Sequence, residues 1–138
     1  MASVTGGCLC GAVRYSIDAE PVPGRQLLCH CVDCQKQTGS AFVSGIAFPA
    51  DNVVVTGPVT TYTQPGGQSG EAMNRRFCTR CGSPIMIDRA GTGRKLIMAG
   101  TLDDKSLFRP VLNLFCEQAP DWVVMPEGTE KLARYYTS

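Results

Sequence analysis

Short runs of apolar and β-branched residues, separated by turns that contain glycine or proline, recur along the whole sequence. Runs of this length bounded by turn residues are typical of strands rather than helices. The pattern therefore predicts a mainly β domain whose strands pair mostly antiparallel. The predicted strands are residues 12–17, 41–48, 53–56, 59–62, 74–77, 85–87, 96–100 and 111–115.

Helical patterns are scarce in this sequence. Short helical turns are predicted at residues 35–38 and 103–107, and a last helix at 127–136 with Thr129 as its N-cap. Residues 64–70, which are rich in glycine and glutamine, form the best candidate for a mobile loop. Helices are thus expected only as short connections around the strands.

The size and charge of the chain narrow the possible functions. A length of 138 residues suits a single domain, 1–138, with a modest core. A formal charge of +1 and only 18% charged residues give no basic surface for nucleic acid or an anionic membrane. No apolar run approaches the length of a membrane span, and the first residues lack the pattern of a secretory signal. We expect a cytoplasmic protein without nucleic-acid or membrane partners.

The cysteines are the residues whose spacing indicates a functional site. Seven of the eight cysteines stand in three tight clusters, and only Cys116 stands alone. Disulfides usually close long loops in an oxidising compartment, whereas thiolates two or three residues apart converge on one tetrahedral ion. A metal site is therefore favoured over disulfides, reduced core thiols or a redox pair. The clusters are Cys8-Leu9-Cys10, Cys29-His30-Cys31-Val32-Asp33-Cys34 and Cys78-Thr79-Arg80-Cys81.

The first and last clusters together offer four thiolates, Cys8, Cys10, Cys78 and Cys81, the closed set of a structural zinc. Gly82 follows the last pair, where a sharp backbone turn is needed. Counting donors favours this pairing, because any other division leaves two ligands without partners. The sequence does not prove it, and pairing of Cys8 and Cys10 with the middle cluster stays open.

The middle cluster has three thiolates, Cys29, Cys31 and Cys34, and no second set of donors to complete them. Three protein ligands with an open fourth position are typical of a reactive zinc. His30 lies between two ligands, so its ring is expected to point away from the ion; a role as acid or base, or simple packing, fits better than ligation. Cys116 is an alternative fourth ligand, although a small buried side chain is the preferred interpretation.

The clusters and their surroundings resemble the family of glutathione-dependent formaldehyde-activating enzyme and centromere protein V, over about residues 5–125. The resemblance implies a β-tent fold of antiparallel sheets, shared with methionine-R-sulfoxide reductases, and two zinc ions per chain. It assigns the structural zinc to the outer cysteines and the catalytic zinc to the middle three. Asn113 stands where many members carry a histidine. The matching segments are GGCLCGAVRY (6–15), CHCVDCQKQTGSAF (29–42), RFCTRCG (76–82) and GTLDD (100–104).

The resemblance implies a zinc-dependent carbon–sulfur lyase that forms or cleaves S-hydroxymethylglutathione, with glutathione as co-substrate and formaldehyde as the aldehyde. Glutathione carries two carboxylates, so Lys36, Arg75 and Arg76 beside the cysteine motifs are candidate substrate-binding residues. Trp122 is expected to pack in the core or in a lid. Two alternatives remain: a non-enzymatic zinc module that binds a protein partner, and a thiol redox or metal-handling protein.

Overall fold

The computed structural model describes residues 3–66 and 70–135. Within these ranges the chain is built almost entirely from short strands, with one α-helix, α1 (Val32–Thr38). Single 3-10 turns lie at Ala50–Asn52, Ala99–Thr101, Lys105–Leu107 and Cys116–Gln118. None of the described helices is long and apolar enough to cross a membrane. The strands are β1 (Val4–Gly7), β2 (Arg14–Ile17), β3 (Gln26–Cys29), β4 (Val43–Pro49), β5 (Val53–Thr56), β6 (Val59–Gln64), β7 (Met73–Cys78), β8 (Pro84–Asp88), β9 (Arg94–Met98), β10 (Leu112–Leu114) and β11 (Glu130–Lys131).

The strands form two sheets. A small sheet has the order β1-β2-β5, and a large sheet has the order β11-β10-β3-β4-β9-β8-β7-β6. All pairs are antiparallel except those of β10, which runs parallel to both β3 and β11. This architecture confirms the mainly β, mainly antiparallel fold. All eight predicted strands overlap observed ones, and the sequence patterns missed β1, β3 and β11.

The helix predicted at residues 127–136 is wrong over its described part. This segment instead adds the short strand β11 to the free edge of β10. Glu130 donates its N–H to Val111 and Leu132 donates to Asn113, both at 2.9 Å. An open sheet edge thus supplies the backbone partners that a helix would have found within itself. The loop predicted at 64–70 falls partly on residues 67–69, which lie outside the described residues.

The central strands of the large sheet are buried on both faces, because alternate side chains enter two separate cores. Ile97 packs into a first core between the two sheets, while its neighbour Met98 packs into a second core on the opposite face. Cys78 belongs to the first core, with Cys8 and Cys81 packed against it. The middle cysteines belong to the second core. One sheet therefore keeps the two sets of cysteines apart.

The passage from the small sheet to the large one depends on Gly57, between β5 and β6. Its φ is 104°, and an added Cβ would overlap the backbone carbonyl of Ala12. Because backbone cannot move aside as a side chain can, we expect Gly57→Ala to lower the free energy of unfolding by about 3 kcal/mol. Gly24→Ala is the matched control. Gly24 has φ 72° but open space around it, so only the backbone cost of about 1 kcal/mol should appear. Urea unfolding measures both, and equal losses would contradict this account of Gly57.

Candidate metal centre

The structure brings the outer cysteines together as one cluster. Cys8 and Cys10 follow β1, while Cys78 ends β7 and Cys81 lies in the turn after it. All four sulfurs lie within 4.8 Å of one another. Cys78 is fully buried and Cys10 is exposed, so the cluster reaches from the first core to the surface. This geometry decides the pairing that the sequence left open.

Backbone N–H groups point at these sulfurs, as they do in structural metal sites. The sulfur of Cys8 accepts from Val13 N at 3.2 Å, and that of Cys78 accepts from Arg80 N and Cys81 N at 3.4 and 3.5 Å. The turn closes with the N–H of Gly82, at φ 78°, on the carbonyl of Cys78 at 2.9 Å. Such donors stabilise thiolates, the form that binds a metal ion.

The four thiols cannot all ionise without a cation, because each charge opposes the next. The Ser83 hydroxyl, 3.1 Å from the sulfur, and nearby backbone N–H groups lower the pKa of Cys81 to about 5. A backbone N–H of Ala12 acts to lower the pKa of Cys10, but burial and the neighbouring thiols raise it to about 11. The cluster can therefore hold a divalent cation with four sulfur ligands, the donor set of a structural zinc.

The middle cluster lies where β3 meets α1. Cys29 is the last residue of β3, Cys31 is the N-cap of the helix, and Cys34 lies in the first turn. They are only 7%, 3% and 5% exposed, and their sulfurs lie within 4.8 Å of one another. Within residues 3–66 and 70–135, no fourth cysteine, histidine or carboxylate joins this group. The three sulfurs can hold a metal ion and leave one coordination position open.

The buried trio concentrates negative charge on one sulfur. The neighbouring thiols of Cys29 and Cys34, with Cys34 N at 3.3 Å, lower the pKa of Cys31 to about 3. The side chain of Cys29 acts to lower the pKa of Cys34, but Cys31 and burial raise it to about 11. The Cys31 thiol and burial raise the pKa of Cys29 well above its usual value. The three thiols therefore ionise only in part unless a cation is present, with Cys31 losing its proton most easily.

Arg75 lies beside this charge. Its guanidinium nitrogens are 3.9 and 4.0 Å from the sulfur of Cys34, and the residue is only 4% exposed. Gln64 and Gln37 hold the guanidinium at 2.9 and 3.2 Å. Three thiolates around a divalent cation would also carry a net charge of about −1. Arg75 is therefore placed to balance the trio with or without the metal.

The other two predicted substrate cations lie elsewhere. The side chain of Arg76, next to Arg75 on β7, turns to the opposite face of the sheet. There it binds Asp88 at 2.8 and 3.3 Å and Thr61 at 3.1 Å. Lys36 lines a second depression, whose lining also includes Tyr62 and Arg75. Of the three cations, the structure places Arg75 alone in contact with a cysteine of the trio.

His30 is fully buried and lies outside both sulfur clusters. Its Nε2 is 3.1 Å from Oδ1 of Asn113, while Nδ2 of Asn113 donates to Thr129 Oγ1 and to the carbonyl of Glu130, at 2.8 and 3.1 Å. These two donations orient the amide, so its oxygen must accept from a protonated Nε2. Nδ1 has no hydrogen-bond partner among the described residues. Asn113 thus fixes the orientation and tautomer of the histidine.

Two other predicted residues lie away from the metal centre. The sulfur of Cys116 is 3.7 Å from Met125 Sδ and 3.6 Å from the carbonyl of Asn113, so it completes neither cluster. Trp122 is 75% exposed. The expectation that this ring packs in the core or a lid is therefore wrong. Its segment, after the last 3-10 turn, is largely exposed.

A cavity of about 70 Å³ opens beside two cysteines of the trio, Cys29 and Cys34. Its buried part contains Cys29 and Cys34 with apolar side chains of the second core, and its half-buried rim contains Arg89, Arg94 and Tyr135. Sequence patterns did not identify these rim residues, because they come from the β8–β9 turn and the C-terminal segment, far from the cysteine motifs. The remaining lining residues are Leu27, Val43, Ala47, Met73, Ile87, Asp88, Thr92, Leu96 and Leu114.

The two clusters should differ in what they do for stability. We expect Cys78→Ser to lose one metal equivalent and to lower the melting temperature strongly, because its cluster joins segments 68 residues apart in sequence. Cys31→Ser should also lose one metal equivalent but still fold, since serine caps α1 as the Cys31 sulfur does. Metal analysis and thermal unfolding by circular dichroism measure both. Equal falls in melting temperature would contradict the expectation that the two clusters contribute differently to stability.

Arg75 and Arg76 form a matched pair for testing the charge balance. Arg75→Gln should weaken metal binding at the trio by about tenfold or more, because the cluster loses the cation beside it. Arg76→Gln should leave that affinity unchanged, since its guanidinium binds Asp88 on the other face. Competition with a chromophoric chelator gives the affinities. The same weakening in both variants would show that the Arg75 contact is not the cause.

Comparisons with known proteins agree with these observations. The fold resembles a Rhodobacter sphaeroides protein whose crystal structure was solved by structural genomics, with a TM-score of 0.58 and 18% identity over 77% of this chain and 96% of that one. No curated protein matches the chain. The family model for glutathione-dependent formaldehyde-activating enzyme matches residues 3–118, which include both sulfur clusters. The chain therefore belongs to the glutathione-dependent formaldehyde-activating enzyme family.

Proposed function

We propose that the protein is a zinc-dependent carbon–sulfur lyase that forms or cleaves the hydroxymethyl thioether between a thiol and formaldehyde. The observation that carries this proposal is a trio of buried thiols, two of which line a cavity, without a fourth protein ligand among the described residues. A structural zinc site is normally closed by four protein ligands, whereas a catalytic one keeps a position open. Membership of the family supports the same class of reaction.

Zinc fits both sulfur clusters, because it accepts three or four thiolates in tetrahedral geometry. Bound to Cys29, Cys31 and Cys34, it would supply an open position that favours the thiolate form of a substrate at neutral pH. The outer four cysteines would hold a second, structural zinc ion. The proposed cofactor content is thus two zinc ions per chain.

The protein's own residues prepare this site in three ways. Arg75 balances the negative charge that collects on the trio, so that a second anion at the cavity floor is less strongly repelled. Gln35 donates to the carbonyl of His30 at 2.8 Å and to that of Gln118 at 3.1 Å, which fixes the chain between Cys29 and Cys31. The mostly apolar lining disfavours water, which would otherwise compete for the aldehyde.

The overall reaction needs no electron transfer. A sulfur–carbon bond forms at the carbonyl carbon, the carbon–oxygen π bond breaks, and the thiol proton ends on the oxygen as a hydroxyl. The reverse reaction returns that proton to sulfur and releases the aldehyde. The proposal therefore requires only a site that binds thiolate and carbonyl together and excludes water.

A direct test measures how fast thiol, formaldehyde and adduct interconvert. Because the adduct also forms without an enzyme, carbon-13 exchange NMR at equilibrium is the suitable measurement, with glutathione and the short thiol 2-mercaptoethanol tested side by side. We expect the zinc-loaded protein to accelerate exchange and Cys34→Ser to lose the acceleration by at least about tenfold, because it removes a metal ligand. Cys116→Ser is the control and should retain both metals and the acceleration, since Cys116 lies outside both clusters.

The same measurements discriminate the alternatives. Two tightly bound metal ions without acceleration for any thiol would exclude the lyase proposal and favour a zinc module that binds a protein partner. Cysteine sulfurs found oxidised in pairs, with fewer than two metal ions per chain, would favour a thiol redox role.

A further inference from the structure

The C-terminal segment closes one side of the cavity, although it lies outside the family match, which ends at residue 118. Beyond β11 the chain follows the end of β10 through backbone hydrogen bonds. Cys116 N donates to Leu132 O at 2.9 Å, and Phe115 N donates to Arg134 O at 3.0 Å. These bonds fix the position of Tyr135, the residue that follows. Residues beyond the family match therefore affect access to the cysteine trio.

Tyr135 is held at the rim from two sides. Its ring lies 6.0 Å from the ring of Phe115, and the guanidinium of Arg89 stacks over it at 4.9 Å. Arg89 also pairs with Glu71 at 3.5 Å. Among the described residues Phe115 is the one non-glycine residue with a positive φ, 55°, a strained conformation that persists only where the surroundings enforce it. The rim is thus built from mutually supporting contacts.

The cavity below this rim is small. Its 70 Å³ is about half of the ~150 Å³ that holds a benzene molecule in a protein interior. A sulfur atom with a few carbon atoms fits such a space, and the rest of a larger thiol must lie in the opening of the cavity. In glutathione the carbon next to the CH₂–SH group also carries two long arms, and both would crowd the rim formed by Tyr135 and Arg89.

On this basis we propose that Tyr135, supported by Arg89, restricts the site to short, unbranched aliphatic thiols and their one-carbon adducts, and discriminates against glutathione. The inference rests on the proposed function, since it assumes that the thiol approaches the metal held by Cys29, Cys31 and Cys34. Tyr135 acts as a specificity-determining residue through the size of the opening. It takes no part in bond making.

The test replaces zinc with cobalt, whose absorption spectrum changes when a thiol enters the open position of the trio. The four-sulfur cluster adds a constant background to the difference spectrum. Titration with 2-mercaptoethanol, N-acetylcysteine and glutathione gives an apparent dissociation constant for each thiol. Comparing the ratio of these constants between variants cancels the intrinsic acidity of each thiol. This readout does not depend on turnover.

In the wild type we expect 2-mercaptoethanol to bind at least about tenfold more tightly than glutathione, with N-acetylcysteine between them, because steric exclusion of this size is within the range of a single pocket. Tyr135→Ala should reduce the ratio to about threefold or less by improving glutathione binding. Tyr135→Phe keeps the ring and should keep the ratio. Trp122→Ala, an aromatic deletion in the same segment at an exposed position, should also keep it.

Two results would overturn the inference and can be told apart. Equal binding of glutathione and 2-mercaptoethanol in the wild type, or an unchanged ratio in Tyr135→Ala, would reject the role of Tyr135 while leaving the lyase proposal intact. Failure of every thiol to change the cobalt spectrum would reject the proposed function, and the inference with it. Melting curves of Tyr135→Ala and Tyr135→Phe check that the variants fold. If Tyr135→Ala does not fold, the inference is tested by the wild-type ratio of the dissociation constants of glutathione and 2-mercaptoethanol.

Discussion

The mutual repulsion of thiolates held in contact is the constraint on which the rest of this structure depends. Seven sulfurs lie in two clusters, with the members of each within 4.8 Å of one another. Without a cation, each cluster can ionise only in part, as the opposing pKa directions of its members indicate. A divalent metal ion removes that repulsion, because each thiolate is attracted to the cation. Both clusters are arranged so that one cation can contact all of their sulfurs.

The large sheet separates the two clusters by placing them on its opposite faces. The outer four cysteines meet at the edge of the first core, where a metal ion bound by them would join the N-terminal segment to the turn after β7. The middle three end in the second core, beside a cavity. The proposed structural and reactive roles would thereby belong to different cores, so that an open coordination position need not weaken the site that joins the two sheets.

Buried polar groups around the second core are each held in place by specific hydrogen-bond partners. Arg75 contacts Cys34 and is held by two glutamines, and His30 is oriented by Asn113. Each is buried, so each would be costly without its partner. Asn113 stands where the family resemblance leads one to expect a histidine, and it holds the ring of His30 rather than contributing a ligand to the sulfur clusters. This chain therefore surrounds the trio with its own network.

The sequence by itself determined the elements whose causes are local. Strand runs bounded by glycine and proline predicted the β fold, and cysteine spacing predicted which thiols converge, because a Cys-x-Cys or Cys-x-x-Cys segment can reach only one ion. It did not determine β11, which exists because the edge of β10 offers backbone partners, and it wrongly predicted a helix there. The separate directions of Arg75 and Arg76 and the position of Tyr135 at the cavity were likewise decided by tertiary structure. Each depends on contacts between segments far apart in sequence, and no local pattern carries that information.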